Sequence, residues 1–272
     1  MALPMTNIGG LEISRLVCGS NTFGGFSHFS AARDKWLRRY FTVERITEVL
    51  ARCAEHGINA VVSGINPPLD EALKELDKAH GFHMNWVCTP GGPDLKTCLE
   101  GIQWCADHHV EICMPHPSYT DPNLHVEEGR IVGAEEICAR TRELGMIPGF
   151  STHRPETVTV GDRAGYDIET YIQIYNSIGF LCAVETDWEC SVINGTQKPI
   201  ICIKPLGAGR IMPPTGFLFV YNTIKPIDTV ACGFTSSEEV DEDVAIVQQI
   251  LAGQQVDVEL QETRSKQALR AG

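Results

Sequence analysis

VEICMPHP (110–117), IVGAEEICARTRELG (131–145) and MIPGFSTH (146–153) decide the fold. The first and third contain short apolar runs, at 111–114 and 147–150, and each leaves its run through polar residues that include a histidine. Between them Ile131, Ala134, Ile137, Cys138 and Leu144 recur at helical spacing until Gly145 stops the pattern. Strand, helix and strand in that order predict a parallel crossover unit, with His116 and His153 leaving the same end of two adjacent strands.

The alternation continues in both directions. β-rich runs at 16–19, 59–63, 86–89, 172–175, 200–203 and 229–232 bring the predicted strands to eight. Val43, Ile46, Val49, Leu50 and Cys53 form a helical stripe behind Thr42 as N-cap, and Val240, Val244, Val247 and Leu251 form another behind Ser237 and Glu238. Eight strands alternating with helices predict a (β/α)8 TIM barrel rather than an open doubly wound sheet. The expected organisation is a single barrel domain over 1–253 followed by a polar C-terminal tail over 254–272.

Composition narrows the function classes. A hydrophobic fraction of 43% with 21% charged residues suits a globular chain with a large core. A formal charge of −13 repels phosphates, so neither nucleic acid nor an anionic membrane is an expected partner, and a small-molecule substrate is. No apolar run is long enough to span a bilayer, and the first ten residues carry no leader pattern. The eleven cysteines are scattered singly, mostly in apolar runs, without a C-x-x-C pair. They read as reduced core thiols of a cytoplasmic protein rather than a disulfide framework. Oligomeric state is left open.

Seven segments in order resemble the aldo-keto reductase superfamily: LEISRLVCGSNTFGG (11–25), AEHGINAVVSG (54–64), VEICMPHP (110–117), GMIPGFSTHRPETV (145–158), YIQIYN (171–176), KPLGAG (204–209) and CGFTSSEEVDED (232–243). The resemblance implies an aldo-keto reductase-like barrel. It also implies a catalytic Asp, Tyr, Lys and His, which the family uses to protonate a carbonyl receiving hydride from a nicotinamide. Here the Asp position falls on Val62, the Tyr position near Pro67 and the Lys position near Pro90, so of the four only His116 is retained. Ser151, Gln173 and Ser236 fall where the family makes polar cofactor contacts. The nicotinamide-stacking tyrosine falls at Ile203, and Glu238, Glu239, Asp241, Glu242 and Asp243 would repel a 2′-phosphate, which weighs against NADP(H).

A barrel builds its pocket at the C-terminal ends of its strands. Asn21, His28, Ser63, Asn66, Thr89, His116, Ser151, His153, Asn176 and Lys204 follow the predicted strands and are expected to make a polar mouth. His116 and His153 are expected as an acid/base pair, because imidazole is neutral near pH 7, or as ligands of a divalent metal. Cys88, Cys113 and His28 are the candidate third ligands, without a spacing signature. Lys204 ends an apolar run and could bind an anionic group or, with a lowered pKa, form a Schiff base. Arg154 and Arg210 could grip an anion, and with Asn21, His28 and Asn176 they are the expected substrate contacts. Phe26, Phe29, Trp36, Tyr40 and Phe41 gather in the first loop, as a lid wall or as packing.

Three functions remain open from sequence. The first is a non-redox lyase, isomerase or hydrolase acting on a small carbonyl or sugar-like molecule through His116, His153 and Lys204. The second is an NAD(P)-dependent oxidoreductase with a rearranged site. The third is a ligand-binding relative without catalysis.

Overall fold

The computed structural model of the chain describes residues 2–256 and 263–270. It opens on a hairpin that sequence reading missed, β1 (Met5–Ile8) and β2 (Leu11–Ser14), turned by Gly9 and Gly10 at φ +60° and +95°. Glycine occupies both left-handed positions because a side chain there would be strained. Then follow β3 (Leu16–Gly19), α1 (Ala31–Tyr40), α2 (Val43–Glu55), β4 (Ala60–Ser63), α3 (Pro67–His80), β5 (Asn85–Cys88), α4 (Leu95–Asp107) and β6 (Ile112–Cys113). A single turn, α5 (Pro117–Thr120), and a short ribbon, β7 (Leu124–His125) with β8 (Arg130–Ile131), precede α6 (Ala134–Glu143) and β9 (Ile147–Ser151). The rest alternates: α7 (Glu156–Ala164), β10 (Thr170–Ile174), α8 (Thr186–Gly195), β11 (Ile200–Ile203), α9 (Pro213–Thr223), β12 (Thr229–Gly233) and α10 (Ser237–Leu251), with α11 (Arg264–Arg270) last. The expected tail over 254–272 falls partly outside the described residues.

Strands β3, β4, β5, β6, β9, β10, β11 and β12 pair in that order, and β12 returns to β3, closing an eight-stranded barrel. All of these pairings are parallel. The fold expected from the alternation is the fold observed.

Strand parity sorts the apolar residues into two cores. Val17, Ala60, Val87, Ile112, Met114, Ile172, Ile201 and Ala231 pack inside the barrel. Their neighbours Cys18, Val61, Trp86, Cys88, Cys113, Tyr171, Cys202, Val230 and Cys232 point outward to the helices. Ile8 and Ile13 of the hairpin join the inner cluster, and Ser14 N donates to the side chain of Asn59 just before β4, so the hairpin plugs the N-terminal end. The stripe on α2 buries Ile46, Val49, Leu50 and Cys53 against the outer face, and Thr42 Oγ1 caps its Arg45 N–H. Each aliphatic side chain removed from water there contributes about 1.5–3 kcal/mol. All eleven cysteines are free thiols, and nine of them are buried.

Strand approach is tightest at Gly149. A Cβ there would lie 2.5 Å from Thr170 O and 3.0 Å from Met114 Sδ. The opposite, C-terminal end is left open to loops, and α1 is an extra helix inside the first of them. No helix among the described residues is long and apolar enough to cross a membrane.

Candidate functional site

The mouth is built where β3, β6, β9 and β11 end. Beyond β6 the chain turns at once: His116 is the N-cap of α5, and its Nδ1 accepts the Ser118 N–H at 3.1 Å and lies 3.0 Å from Ser118 Oγ. An Nδ1 that accepts leaves the proton of the neutral ring on Nε2, so His116 offers a hydrogen-bond donor. His153 follows β9 by two residues. Its backbone N–H points at Asp121, 3.2 Å from Oδ1, and its Nδ1 stands 3.9 Å from Asp121 Oδ2. Thr152 Oγ1 donates to the same carboxylate at 2.6 Å. Asp121 thus sits behind His153, within ion-pair range of Nδ1 but beyond hydrogen-bond distance.

Lys204 is the residue after β11. Its backbone is left-handed, φ +61°, and its carbonyl is held by Gly207 N–H at 3.0 Å. Four of the five non-glycine residues with positive φ among the described residues, His28, Leu181, Lys204 and Ala208, lie in mouth loops. Such conformations cost about 1–3 kcal/mol each and persist where the surroundings over-determine them.

The electrostatics tie these groups together. Burial lowers the Lys204 ammonium to about 8. Burial first, and then the charges of Lys204, His116 and His28, hold His153 down to about 4. His116 is lowered by burial and by Lys204, and His28 by burial, Lys204 and Arg210. Lys204 bears on all three histidines, and His116 and His28 on His153, each positive charge opposing the protonation of its neighbours. His116 and His28 are exposed to solvent, and His153 is 39% exposed. Asn21 Nδ2 reaches His28 Nε2 at 3.4 Å. Ser151 is buried at the last position of β9, on the strand's inner parity.

Other expected site residues are engaged elsewhere. Gln173 is fully buried, with Ile172 and Ile174 beside it on the inner parity. It therefore faces the helix layer, where its Nε2 donates to Glu189 at 2.9 Å. Ser236 caps α10 by accepting Glu239 N–H. Asn176 is buried and spends its amide on Phe180 O and N. Arg154 donates to Asp121 O at 3.3 Å and Glu156 Oε1 at 3.2 Å. Arg210 is a brace between loops: it donates to Gly207 O and His28 O and lies 4.1 Å over the Phe180 ring.

Ser63 accepts Trp86 Nε1–H in the outer layer, Asn66 caps α3, and Thr89 Oγ1 donates to Ser63 O, so none of these three contributes to the mouth as expected. In the first loop Phe41 is buried and edge-on to Phe23, whereas Phe26, Phe29 and Trp36 are exposed. The packing role, one of the two expected, is seen at Phe41.

No group of three His, Cys, Asp or Glu side chains among the described residues is placed to hold a metal ion. Cys88 and Cys113, expected as third ligands, lie paired across β5 and β6 on the outward face, away from the imidazoles. A surface groove of about 600 Å³ lined by Leu95, Leu99, Gln103, Glu136 and Arg140 lies between α4 and α6, outside the barrel and distant from this chemistry.

Val62 packs against the inner cluster, Pro67 opens α3, and Pro90 lies under Gly101, whose added Cβ would meet it at 2.7 Å. All three are aliphatic side chains without an ionisable group.

No protein-family description and no curated protein sequence matches the chain. Solved structures do. A Pseudomonas aeruginosa protein described as an aldo-keto reductase shares 18% identity at a TM-score of 0.65, covering 91% of this chain and 94% of its own. An aldo/keto reductase from Brucella melitensis shares 10% identity at a TM-score of 0.60, covering 91% and 93%. A truncated 3-deoxy-D-arabino-heptulosonate 7-phosphate synthase from Thermotoga maritima shares 9% at 0.55, covering 92% of each chain. The resemblance read from the seven segments extends over the whole architecture: the chain has the barrel fold of the aldo-keto reductases.

Proposed function

We propose that this barrel is a non-redox enzyme, a lyase, isomerase or hydrolase by reaction class, acting on a small oxygenated carbonyl or sugar-like substrate. What supports the reading is the electrostatic influence of Lys204 and His116 on His153, from the ends of β11, β6 and β9, with Asp121 behind His153. His153 removes a proton through Nε2. His116 donates from Nε2 to the substrate oxygen as charge builds on it, and the Lys204 ammonium stabilises the same oxygen. The enclosure keeps both imidazoles neutral near pH 7, the state each role needs. Entry of an anion among four basic groups raises the proton affinity of each and brings His153 toward working range.

The aliphatic residues at Val62, Pro67 and Pro90 support this reading over hydride transfer, as do the acidic residues that follow Ser236. The test is hydrogen exchange next to the carbonyl in D2O, followed by NMR across a panel of hydroxyaldehydes and 2-oxo acids, with nicotinamide titrations alongside. His153→Asn is expected to slow exchange about a hundredfold or more. Carbonyl-dependent consumption of a reduced nicotinamide would overturn the reading in favour of an oxidoreductase. Binding without exchange or turnover would leave a ligand-binding protein.

A further inference from the structure

Lys204 differs from the other lysines that the fold partly buries. Lys198 pairs with Asp162 at 3.4 Å and Lys225 with Asp228 at 2.9 Å. Among the described residues Lys204 has no carboxylate partner: the group that favours its charge is the thiol of Cys182, and its own charge bears on His28, His116 and His153. The fold delivers this amine from the end of β11 on a left-handed residue, and Arg210 ties the 204–210 loop to the first loop through His28 O at 3.2 Å. A purely electrostatic anchor would be better served by a fully protonated amine near a carboxylate or by a guanidinium.

Building on the proton-transfer reading above, we infer that Lys204 is a covalent nucleophile that forms a Schiff base with a small ketone or aldehyde bearing a carboxylate or phosphate group. Nζ must be neutral to attack. With burial holding the amine at about 8, roughly a tenth of it is unprotonated at pH 7. The Nζ lone pair adds to the carbonyl carbon while the C=O pair moves to oxygen, which takes a proton through His116. The nitrogen gives up a proton to His153, forming a carbinolamine. His153 returns its proton to that hydroxyl, which leaves as water as the nitrogen pair forms C=N and frees His153 as a base. Amine plus carbonyl thus becomes imine plus water, with no oxidant or reductant required. In the protonated imine the adjacent C–H is acidic, so His153 takes that proton and the C–H pair flows toward nitrogen. The substrate's anionic group is met at the rim by the remaining basic side chain, the exposed His28.

The experiment is reductive trapping. The full chain is incubated with pyruvate, with dihydroxyacetone phosphate, or with neutral dihydroxyacetone, each with cyanoborohydride, and adducts are located by peptide mass spectrometry. One adduct per chain is expected on Lys204, formed at least tenfold faster with an anionic carbonyl than with dihydroxyacetone. Preference for pyruvate would identify the anionic group as a carboxylate, and preference for dihydroxyacetone phosphate as a phosphate. The adduct should be absent in Lys204→Arg and Lys204→Met, with circular dichroism verifying their fold.

No adduct on Lys204 with either anionic probe, or equal labelling of Lys35, Lys78 and Lys96, overturns the proposal. The two readings fail separately. Exchange that depends on His153 without any adduct removes the Schiff base alone. An adduct whose formation and exchange are indifferent to His116→Asn and His153→Asn removes the acid/base assignment and leaves Lys204 as the nucleophile.

Discussion

Replacing Glu189 by glutamine should make the protein more stable above pH 7 and leave it little changed in acid. Glu189 on α8 is fully buried and accepts from Gln173 Nε2 at 2.9 Å, yet its Oε1 and the Oε1 of Gln173 both lack a partner among the described residues. A buried acceptor without a donor costs about 1–3 kcal/mol. A proton on Glu189 supplies the missing donor beside an amide that needs one. Burial, reinforced by Glu156, pushes the carboxyl from 4.5 up to about 7.

Because the folded pKa lies above the unfolded value, the native state binds more protons between those two pH values. Stability contributed by this group is therefore greatest in acid and is lost as pH rises through about 7. The full effect is the shift converted at about 1.4 kcal/mol per unit, on the order of 3 kcal/mol. That corresponds to roughly 6–12 °C in Tm at the ~2–4 °C per kcal/mol typical of large domains.

Asp243, also buried and raised to about 7, acts in the same direction. His153, lowered to about 4, acts oppositely, adding stability as pH rises toward 6.5. The assay is therefore a difference: urea unfolding followed by tryptophan fluorescence from pH 5 to 8.5 for the parent, Glu189→Gln and Asp243→Asn. The stability gained by Glu189→Gln should grow steadily with pH, since its amide pairs with Gln173 at every pH. A gain that does not vary with pH, or a loss at pH 8, would refute the protonated-carboxyl account.

Gly149→Ala places a methyl group 2.5 Å from Thr170 O, in a strand pair that cannot separate without opening the barrel. A loss of about 1–3 kcal/mol or more is expected in the same unfolding assay, and a neutral result would mean that β9 and β10 can move apart. Asp121→Asn should slow exchange about tenfold with little change in KM, because the residue orients His153 without reaching the substrate. The effect should fall short of the ~10⁴ known where such a pair is in full hydrogen-bond contact, since here Nδ1 and Oδ2 are 3.9 Å apart. An unchanged kcat would remove Asp121 from the site.

The sequence by itself determined the barrel, because each strand must bury both faces and each helix one stripe, and those demands are written as local periodicities. The predicted 16–19 and 200–203 coincide with β3 and β11. Neither the hairpin at Met5–Ser14 nor its role as the barrel's plug was read from the sequence, since Ile8 and Ile13 acquire meaning only where the inner core ends. Parity could have warned that Gln173, flanked by Ile172 and Ile174, faces outward.

Which residues converge was decided by the tertiary structure alone. His116, His153 and Lys204 are far apart along the chain, and their placement at one end of the barrel follows from strand order. Asp121 carries no motif and becomes a partner only because the turn after β6 brings it under β9. Asn176, Arg154 and Ser236 look available in sequence and are consumed by a loop, an ion pair and a helix cap. Hydrogen-bonding capacity is a property of a residue, whereas its availability depends on every neighbour the fold supplies.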